Sequence, residues 1–89
     1  MKEGLERFSN RLKALRTEKS VKQSEMGEYL GCTERNYQRI EYGEINVQAT
    51  VLMALADYFD VTTDYLLGRA EEKKYDKSVS NHPGEVPGP

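Results

Sequence analysis

Apolar residues recur at helical spacing along the first part of the chain. A stripe with steps of three and four residues predicts a helix over about residues 4–19. Met26 and Leu30 predict a second helix over about residues 23–30. Gly31 ends this second helix, because glycine readily takes the left-handed conformation that closes a helix. The first stripe consists of Leu5, Phe8, Leu12 and Leu15.

The next segment is much more polar. Thr33 is suited to be the N-cap of a third helix, with its hydroxyl accepting a hydrogen bond from the amide of Asn36. Only Tyr37 and Ile40 form an inward face, and Gly43 ends the helix. Helices shorter than about 12 residues are marginal in water, so this polar helix must be stabilised by the rest of the domain. Its opposite face carries Glu34, Arg35, Gln38, Arg39 and Tyr42.

Two more helices complete the regular part of the chain. An apolar stripe predicts a fourth helix over about residues 48–59, which Asp60 ends. Thr62 is suited to cap a short fifth helix before Gly68. No alternation typical of strands occurs, so the expected fold class is all-α, a compact domain of five helices. The fourth stripe consists of Leu52, Leu55, Ala56 and Phe59.

The composition changes at Arg69. The last 21 residues are mostly polar and end in a segment rich in proline and glycine. We therefore expect a folded domain over residues 1–68 and a polar C-terminal tail over residues 69–89, partly helical or disordered. Residues 70–77 are the part of the tail that could extend as a frayed helix, and the last ten are expected to be flexible.

Composition excludes several classes of protein. A chain of 89 residues suits one small domain, and it contains no apolar run long enough for a membrane span. The N-terminus lacks the apolar stretch of a signal peptide, so a cytoplasmic protein is expected. Cys32 and His82 are the single cysteine and the single histidine, which leaves almost nothing for a disulfide framework, a metal site or a catalytic triad. No cofactor and no enzymatic activity are expected.

Charge is distributed unevenly. The net charge is −2, which by itself disfavours a nucleic-acid partner. Residues 1–42, however, hold nine basic against seven acidic residues, whereas residues 43–68 hold four acidic residues and no basic one. A chain polarised in this way can present a basic face to a polyanion and an acidic face away from it.

The second and third helices form a helix-turn-helix pair around Gly31. In that geometry the second helix of the pair enters the major groove of DNA. Arg35 and Arg39 can each donate two hydrogen bonds to guanine, and Gln38 can pair with adenine. Glu34 can accept from cytosine, although an acidic residue is also favoured there by the helix dipole. The polar outer face of the third helix is what contact with DNA would require.

A family resemblance covers residues 11–68. It is carried by the segments RLKALRTEK, KQSEMGEYLGCTERNYQRIEYGE and TVLMALADYFDVTTDYLLG, with Met26, Gly27, Leu30, Gly31 and Ile40 in register. These segments resemble the phage-repressor (Cro-like, XRE-type) helix-turn-helix family. The resemblance implies a lambda-repressor-like DNA-binding domain.

The resemblance also implies roles for individual residues. It implies that Gln23 contacts a phosphate or the first recognition side chain, and that a buried ion pair joins Arg16 to Glu41. Lys22 stands where the family usually has a Ser/Thr cap. Glu44 begins a connector without basic residues, and this connector predicts weaker or more salt-sensitive binding, or a dependence on dimerisation. The implied DNA-binding residues are Gln23, Thr33, Glu34, Arg35, Asn36, Gln38, Arg39, Tyr42 and Gly43.

Two functions are compatible with these features. The first is a sequence-specific transcriptional regulator, a repressor, that binds double-stranded DNA as a homodimer on an inverted repeat. The alternative is an antitoxin-like or adaptor module that holds a protein partner through the acidic surface of helices 4 and 5 or through the C-terminal region. An exposed subset of the residues Tyr58, Tyr65, Leu66 and Leu67 could form a seam for dimerisation.

Overall fold

The structure of the chain is a computed structural model that describes residues 4–74. Its helices are α1 (Glu6–Glu18), α2 (Gln23–Leu30), α3 (Glu34–Glu41), α4 (Ala49–Phe59) and α5 (Thr63–Leu66). No strand occurs within the described residues, so the expected all-α class with five helices is confirmed. None of these helices combines the length and the apolar character needed to cross a membrane.

Local sequence chemistry explains where the helices begin and end. Gly31 follows α2 in the left-handed conformation with φ 75°, and Asp60 follows α4 with φ 56°. The hydroxyl of Thr33 accepts from the amide of Asn36 at 3.0 Å, which confirms the expected cap of α3. The hydroxyl of Thr62 caps α5 in the same way. These caps satisfy backbone amides that have no partner inside their own helix.

The core lies where the apolar faces of the helices meet. Every helix contributes to it, and α3 contributes through Tyr37 and Ile40, the two residues predicted to face inward. Two predicted core positions, Leu5 and Leu52, are only half-buried and pack at its edge. The buried hydrophobic residues are Phe8, Leu12, Leu15, Met26, Tyr37, Ile40, Leu55, Ala56, Phe59 and Leu66.

The chain after α5 packs back onto the helices. Residues 70–74 form bends and irregular structure, so the expected frayed helix is wrong for this part, and residues 75–77 lie outside the described residues. The guanidinium of Arg11 donates to the carbonyl of Ala70 at 2.5 Å, and the amide of Thr62 donates to the carbonyl of Lys73 at 2.8 Å. Hydrogen bonds from α1 and from the start of α5 therefore hold this segment. The flexible last ten residues expected from sequence also lie outside the described residues.

The surface of α4 and α5 limits which of the four candidate seam residues are exposed. Leu66 is fully buried, so it does not belong to the exposed subset. The guanidinium of Arg11 lies 4.1 Å from the centroid of the Tyr65 ring and covers one side of it. Tyr58 is exposed, and so is Met53 on the same helix. The apolar surface available near this seam is therefore on α4.

Candidate nucleic-acid interface

The turn between α2 and α3 is tight because the two helices approach each other closely. The amide of Cys32 donates to the carbonyl of Gly27 at 2.8 Å. A Cβ atom on Gly27 would lie only 3.0 Å from the carbonyl oxygen of Cys32 and 3.2 Å from the amide nitrogen of Glu34. Glycine at this position therefore sets how near α2 can pack to the start of α3.

One side of α3 faces away from the core and forms an open surface. The exposed side chains project from successive turns of the helix and line a shallow depression together with Glu44 from the connector that follows α3. This depression brings together five of the nine residues assigned to DNA contact. They are Glu34, Arg35, Gln38, Arg39 and Tyr42.

The other assigned residues occupy different positions. The hydroxyl of Thr33 is engaged in capping α3, and Asn36, the residue whose amide it caps, is half-buried. Gly43 is buried, and its amide donates to the carbonyl of Ile40 at 3.1 Å. That amide is therefore already paired within the protein.

Gln23 lies at the start of α2, and its side chain contacts two residues of α3. Its side-chain Oε1 accepts from Nε2 of Gln38 at 3.0 Å. Its Nε2 donates to Oε2 of Glu41 at 3.3 Å. Gln23 therefore connects a side chain of the exposed surface to a buried carboxylate.

The buried carboxylate belongs to an ion pair between α1 and α3. Nε of Arg16 donates to Oε1 of Glu41 at 2.7 Å, and Nη2 donates to Oε2 at 3.0 Å. The phenol of Tyr37 also donates to Oε1 at 2.7 Å. Paired planar groups of this kind give strong and directional hydrogen bonds. The pair thus fixes the position of α3 relative to α1.

The titration of this cluster follows from its contacts. Burial alone would raise the pKa of Glu41, but hydrogen bonds from Arg16, Tyr37 and Gln23 outweigh it and hold that pKa below its usual value. Burial, and then the hydrogen bond to Glu41, raise the pKa of Tyr37 far above its usual value. Glu41 is therefore an ionised acceptor and Tyr37 a neutral donor at neutral pH.

Sequence reasoning missed three contacts at this site. It treated Tyr37 only as an apolar residue, although the spacing of four residues to Glu41 places both on one helix face. The hydroxyl of Ser9 donates to the backbone carbonyl of Glu41, a contact that no sequence signal marks. Glu44 lies 3.9 Å from Nε of Arg39, so an acidic residue stands at the rim of the exposed surface.

The groups on the outer face of α3 suit recognition through hydrogen bonds. Within residues 4–74 no group of three or more His, Cys, Asp or Glu side chains is placed to hold a metal ion. The exposed surface of α3 carries guanidinium, amide, carboxylate and phenol groups, which can form hydrogen bonds with base edges and phosphates.

Comparisons with known proteins point in the same direction. A family model described as helix-turn-helix matches residues 12–66. A crystal structure of a transcriptional regulator from Listeria innocua is similar, with a TM-score of 0.67 and 29% sequence identity. The similarity covers 82% of this chain and 68% of that one.

Two curated proteins of Bacillus subtilis (strain 168) are also similar in sequence. The SPbeta prophage-derived uncharacterized HTH-type transcriptional regulator YonR is 37% identical over 60 residues, which are 67% of this chain and 56% of that protein. The uncharacterized HTH-type transcriptional regulator YqaE is 35% identical over 80 residues, which are 85% of this chain and 69% of that protein. The chain thus spans little more than half the length of YonR.

Proposed function

The chain belongs to the helix-turn-helix family, and on that premise we propose that it is a sequence-specific regulator of transcription that binds double-stranded DNA. Proteins similar to it are named as transcriptional regulators. In this proposal α3 enters the major groove, and the protein acts in the cytoplasm by occupying promoter DNA, as a repressor does.

The observation that carries the proposal is the exposed surface of α3. The inner face of this helix is anchored by Tyr37, Ile40 and Glu41, all of them buried. Its outer face keeps Arg35 and Arg39 exposed, and these two arginines are about one helical turn apart. Arginine donates two hydrogen bonds to guanine, so the two side chains suit neighbouring base pairs.

Binding as a homodimer on an inverted repeat is the second part of the proposal. A single helix of eight residues offers few base contacts, and two-fold pairing doubles them. The recognition helices of the dimer must then lie about 34 Å apart to meet successive major grooves. Exposed Met53 and Tyr58 on α4 supply apolar surface that is compatible with such pairing.

The test is selection from a library of random DNA duplexes, followed by titration of the selected duplex at increasing salt concentration. We expect enrichment of an inverted repeat. Arg39→Ala should relax the preference at one base pair in each half-site by roughly 5- to 150-fold, the range expected for one good bidentate contact.

Arg69→Ala is the matched control, because it removes the same charge from an exposed residue outside α2 and α3. It should leave the sequence preference unchanged. If no sequence is enriched, and both variants bind weakly and equally to every duplex, the proposal fails. A protein partner, as in the antitoxin-like alternative, would then be sought.

A further inference from the structure

A pair of exposed aromatic rings joins α2 to α4. The ring centroids of Tyr29 and Tyr58 lie 4.7 Å apart, and the hydroxyl of Tyr29 donates to the carbonyl of Ala54 at 3.1 Å. The ring of Tyr58 also packs edge-on against the buried ring of Phe59. Even so, Tyr29 is 47% exposed and Tyr58 is 36% exposed. We call Tyr29, Ala54 and Tyr58 the aromatic patch. Because its rings are already held in place, a partner that covers them loses little free energy in ordering side chains.

The sequence of α4 is that of a helix covered on more than one side. Asp57 is its only charged residue, and a helix that is apolar around most of its circumference is normally buried. Five of its eleven residues are nevertheless exposed. Thr50, Ala54 and Tyr58 follow one another at steps of four residues, so they form a strip along the helix. The small side chains of the first two let another helix approach closely. The exposed residues are Ala49, Thr50, Met53, Asp57 and Tyr58.

The two helices that form the aromatic patch carry only negative charges. In α2 these are Glu25 and Glu28, and in α4 the only one is Asp57. Glu28 and Asp57 directly precede the two tyrosines in the sequence, and both are exposed. Neither forms an ion pair within residues 4–74. Apolar rings and uncompensated carboxylates therefore lie side by side.

The lysines that approach α4 from the chain after α5 are paired elsewhere. Nζ of Lys74 lies 2.8 Å from the carboxylate of Asp60, and Nζ of Lys73 lies 3.9 Å from that of Glu18. Both lysines line a depression that includes Asp57 but neither tyrosine of the aromatic patch. Their ammonium groups therefore compensate carboxylates outside the patch.

Another tyrosine of this chain shows which group the aromatic patch lacks. The guanidinium of Arg11 lies 4.1 Å from the centroid of the Tyr65 ring, and Nζ of Lys73 lies 6.0 Å from it. In the part of the chain that the structure describes, no basic side chain stands in this way over Tyr29 or Tyr58. Cations are attracted to the faces of such rings. A partner that brings arginine or lysine would supply this contact.

Charge decides between the possible occupants of the aromatic patch. The carboxylates beside it repel the phosphates of DNA. A second copy related by two-fold symmetry would bring Glu28 and Asp57 close to the same residues of its partner, and like charges across an interface are costly. Pairing of two copies can instead use Met53, which lies about 140° around α4 from Tyr58. A cationic partner is the occupant that complements the patch.

The aromatic patch lies on the side of α2 that faces away from α3. Gly27 packs against the start of α3, and Gln23, one turn earlier on the same side, is hydrogen bonded to α3. Tyr29 follows Gly27 by two residues, which places it about 200° around α2. A partner on the patch therefore leaves the exposed surface of α3 uncovered.

We infer that the aromatic patch binds an amphipathic helix of another protein, one whose apolar side chains are flanked by arginine or lysine. The two tyrosines supply the apolar contact, and Glu28 and Asp57 supply the complementary charge. The inference goes beyond the proposed function, since it assigns to the regulator a protein partner on a surface separate from the one proposed to bind DNA.

The experiment is an NMR titration of the ¹⁵N-labelled chain with a synthetic helical peptide that carries leucine on one face and arginine on the other. A matched peptide has glutamate in place of arginine. The variants are Tyr58→Ser, with Met53→Ser as its control on another side of α4, and Glu28→Lys, with Asp64→Lys as its control on α5. Thermal unfolding checks that each variant is folded, and Glu28→Lys changes only an exposed side chain.

We expect the arginine peptide to shift the amide signals of Tyr29 and Tyr58 to saturation, with little change at Arg35 and Arg39 on α3. The glutamate peptide should leave the patch unshifted. Tyr58→Ser should raise the Kd at least about 10-fold, as for a residue at the centre of an interface. Glu28→Lys should raise it at least about 5-fold, and both controls should stay within about 2-fold of wild type.

Three results would overturn the inference. The arginine peptide could fail to saturate the patch or bind the variants as well as wild type, which would show that the patch is not its site. The glutamate peptide could shift the patch equally, which would show that charge does not select the partner. Without peptide, the signals of Tyr29 and Tyr58 could shift with protein concentration in wild type but not in Tyr58→Ser, which would identify a second copy as the occupant. None of these results bears on DNA binding, which the duplex selection tests separately.

Discussion

Glu41 is an acidic residue whose side chain is fully buried, and its contacts explain how a short polar helix is held in place. The helix α3 has eight residues, fewer than an isolated helix needs to be stable in water. The carboxylate of Glu41 accepts hydrogen bonds from Arg16 on α1, from Gln23 on α2 and from Tyr37 on α3 itself. One residue thus ties three helices together, which frees the outer face of α3 for polar side chains.

Replacing Arg16 tests this role. Arg16→Met removes two hydrogen bonds to Glu41 and one to the carbonyl of Val21, and it leaves a buried carboxylate without its cation. We expect the free energy of unfolding to fall by about 3–5 kcal/mol, as is typical when one partner of a buried ion pair is removed. Urea denaturation followed by circular dichroism measures the change.

The double variant Arg16→Met/Glu41→Met tests whether the loss of stability comes from the carboxylate that is left without its cation. It removes both charges, so part of the lost stability should return, because a buried pair is often replaced by apolar groups at little cost. Arg69→Met, an exposed substitution, should stay within about 0.5 kcal/mol of wild type. If Arg16→Met were as mild as Arg69→Met, the ion pair would not hold α3.

At the scale of elements, two glycines shape the α2–α3 pair for different reasons. A Cβ on Gly27 would press on backbone atoms of Cys32 and Glu34, whereas a Cβ on Gly31 would meet nothing within 4 Å. Gly31 instead has φ 75°, a conformation that costs an L-residue roughly 1–2 kcal/mol. Gly27 therefore controls spacing, and Gly31 controls the direction of the turn.

These two causes predict different effects on DNA binding. Gly27→Ala should destabilise the domain by up to about 2 kcal/mol, because overpacking outweighs the gain in helix propensity. It should also lower affinity for the selected duplex more than affinity for random DNA, since α3 moves relative to α2. Gly31→Ala should cost about 1–2 kcal/mol of stability with little loss of sequence preference.

Urea denaturation and duplex titration on the same samples separate the two variants. Equal loss of sequence preference in both, after allowing for the folded fraction, would contradict the assignment of spacing to Gly27.

Much of each element could be predicted from the sequence, because its causes are local. Periodicity gave the bounds of α1, α2 and α4 within two residues, and the side chain of Thr33 marked the start of α3. The family resemblance implied that Gln23 contacts a phosphate or a side chain of α3, but it did not identify Gln38 as the partner, since that hydrogen bond depends on the angle between two helices and on both rotamers. The hydrogen bond from Ser9 to the carbonyl of Glu41 is equally non-local.

At the scale of the whole molecule, hydrogen bonds connect the two sides of the boundary that composition suggests at Arg69. The side chain of Arg11 bonds the carbonyls of Tyr65 and Ala70, so α1 holds both sides of this boundary. The amide of Thr62 adds a backbone bond to Lys73. Composition reports that apolar residues are scarce after Arg69, but it cannot report hydrogen bonds from the backbone of this segment to the rest of the protein.

The distribution of charge leads to the last prediction. Glu44 stands at the rim of the α3 surface, 3.9 Å from Nε of Arg39, and both side chains are about half exposed. Such a pair contributes little to stability, but on a DNA-facing surface its carboxylate repels phosphates and competes for the arginine. Glu44→Lys should therefore raise DNA affinity and steepen the dependence of log Kd on log salt concentration by up to about 0.9 for each new phosphate contact.

The matched control is Asp64→Lys, which makes the same change of charge at an exposed residue of α5. It should raise affinity much less, because α5 contributes nothing to the depression lined by α3 and Glu44. A steeper dependence of log Kd on log salt concentration, with unchanged base preference, would show that Glu44 weakens binding to the DNA backbone and does not contribute to sequence preference. Equal effects of both substitutions would mean that net charge alone sets affinity, and that the acidic rim has no local role.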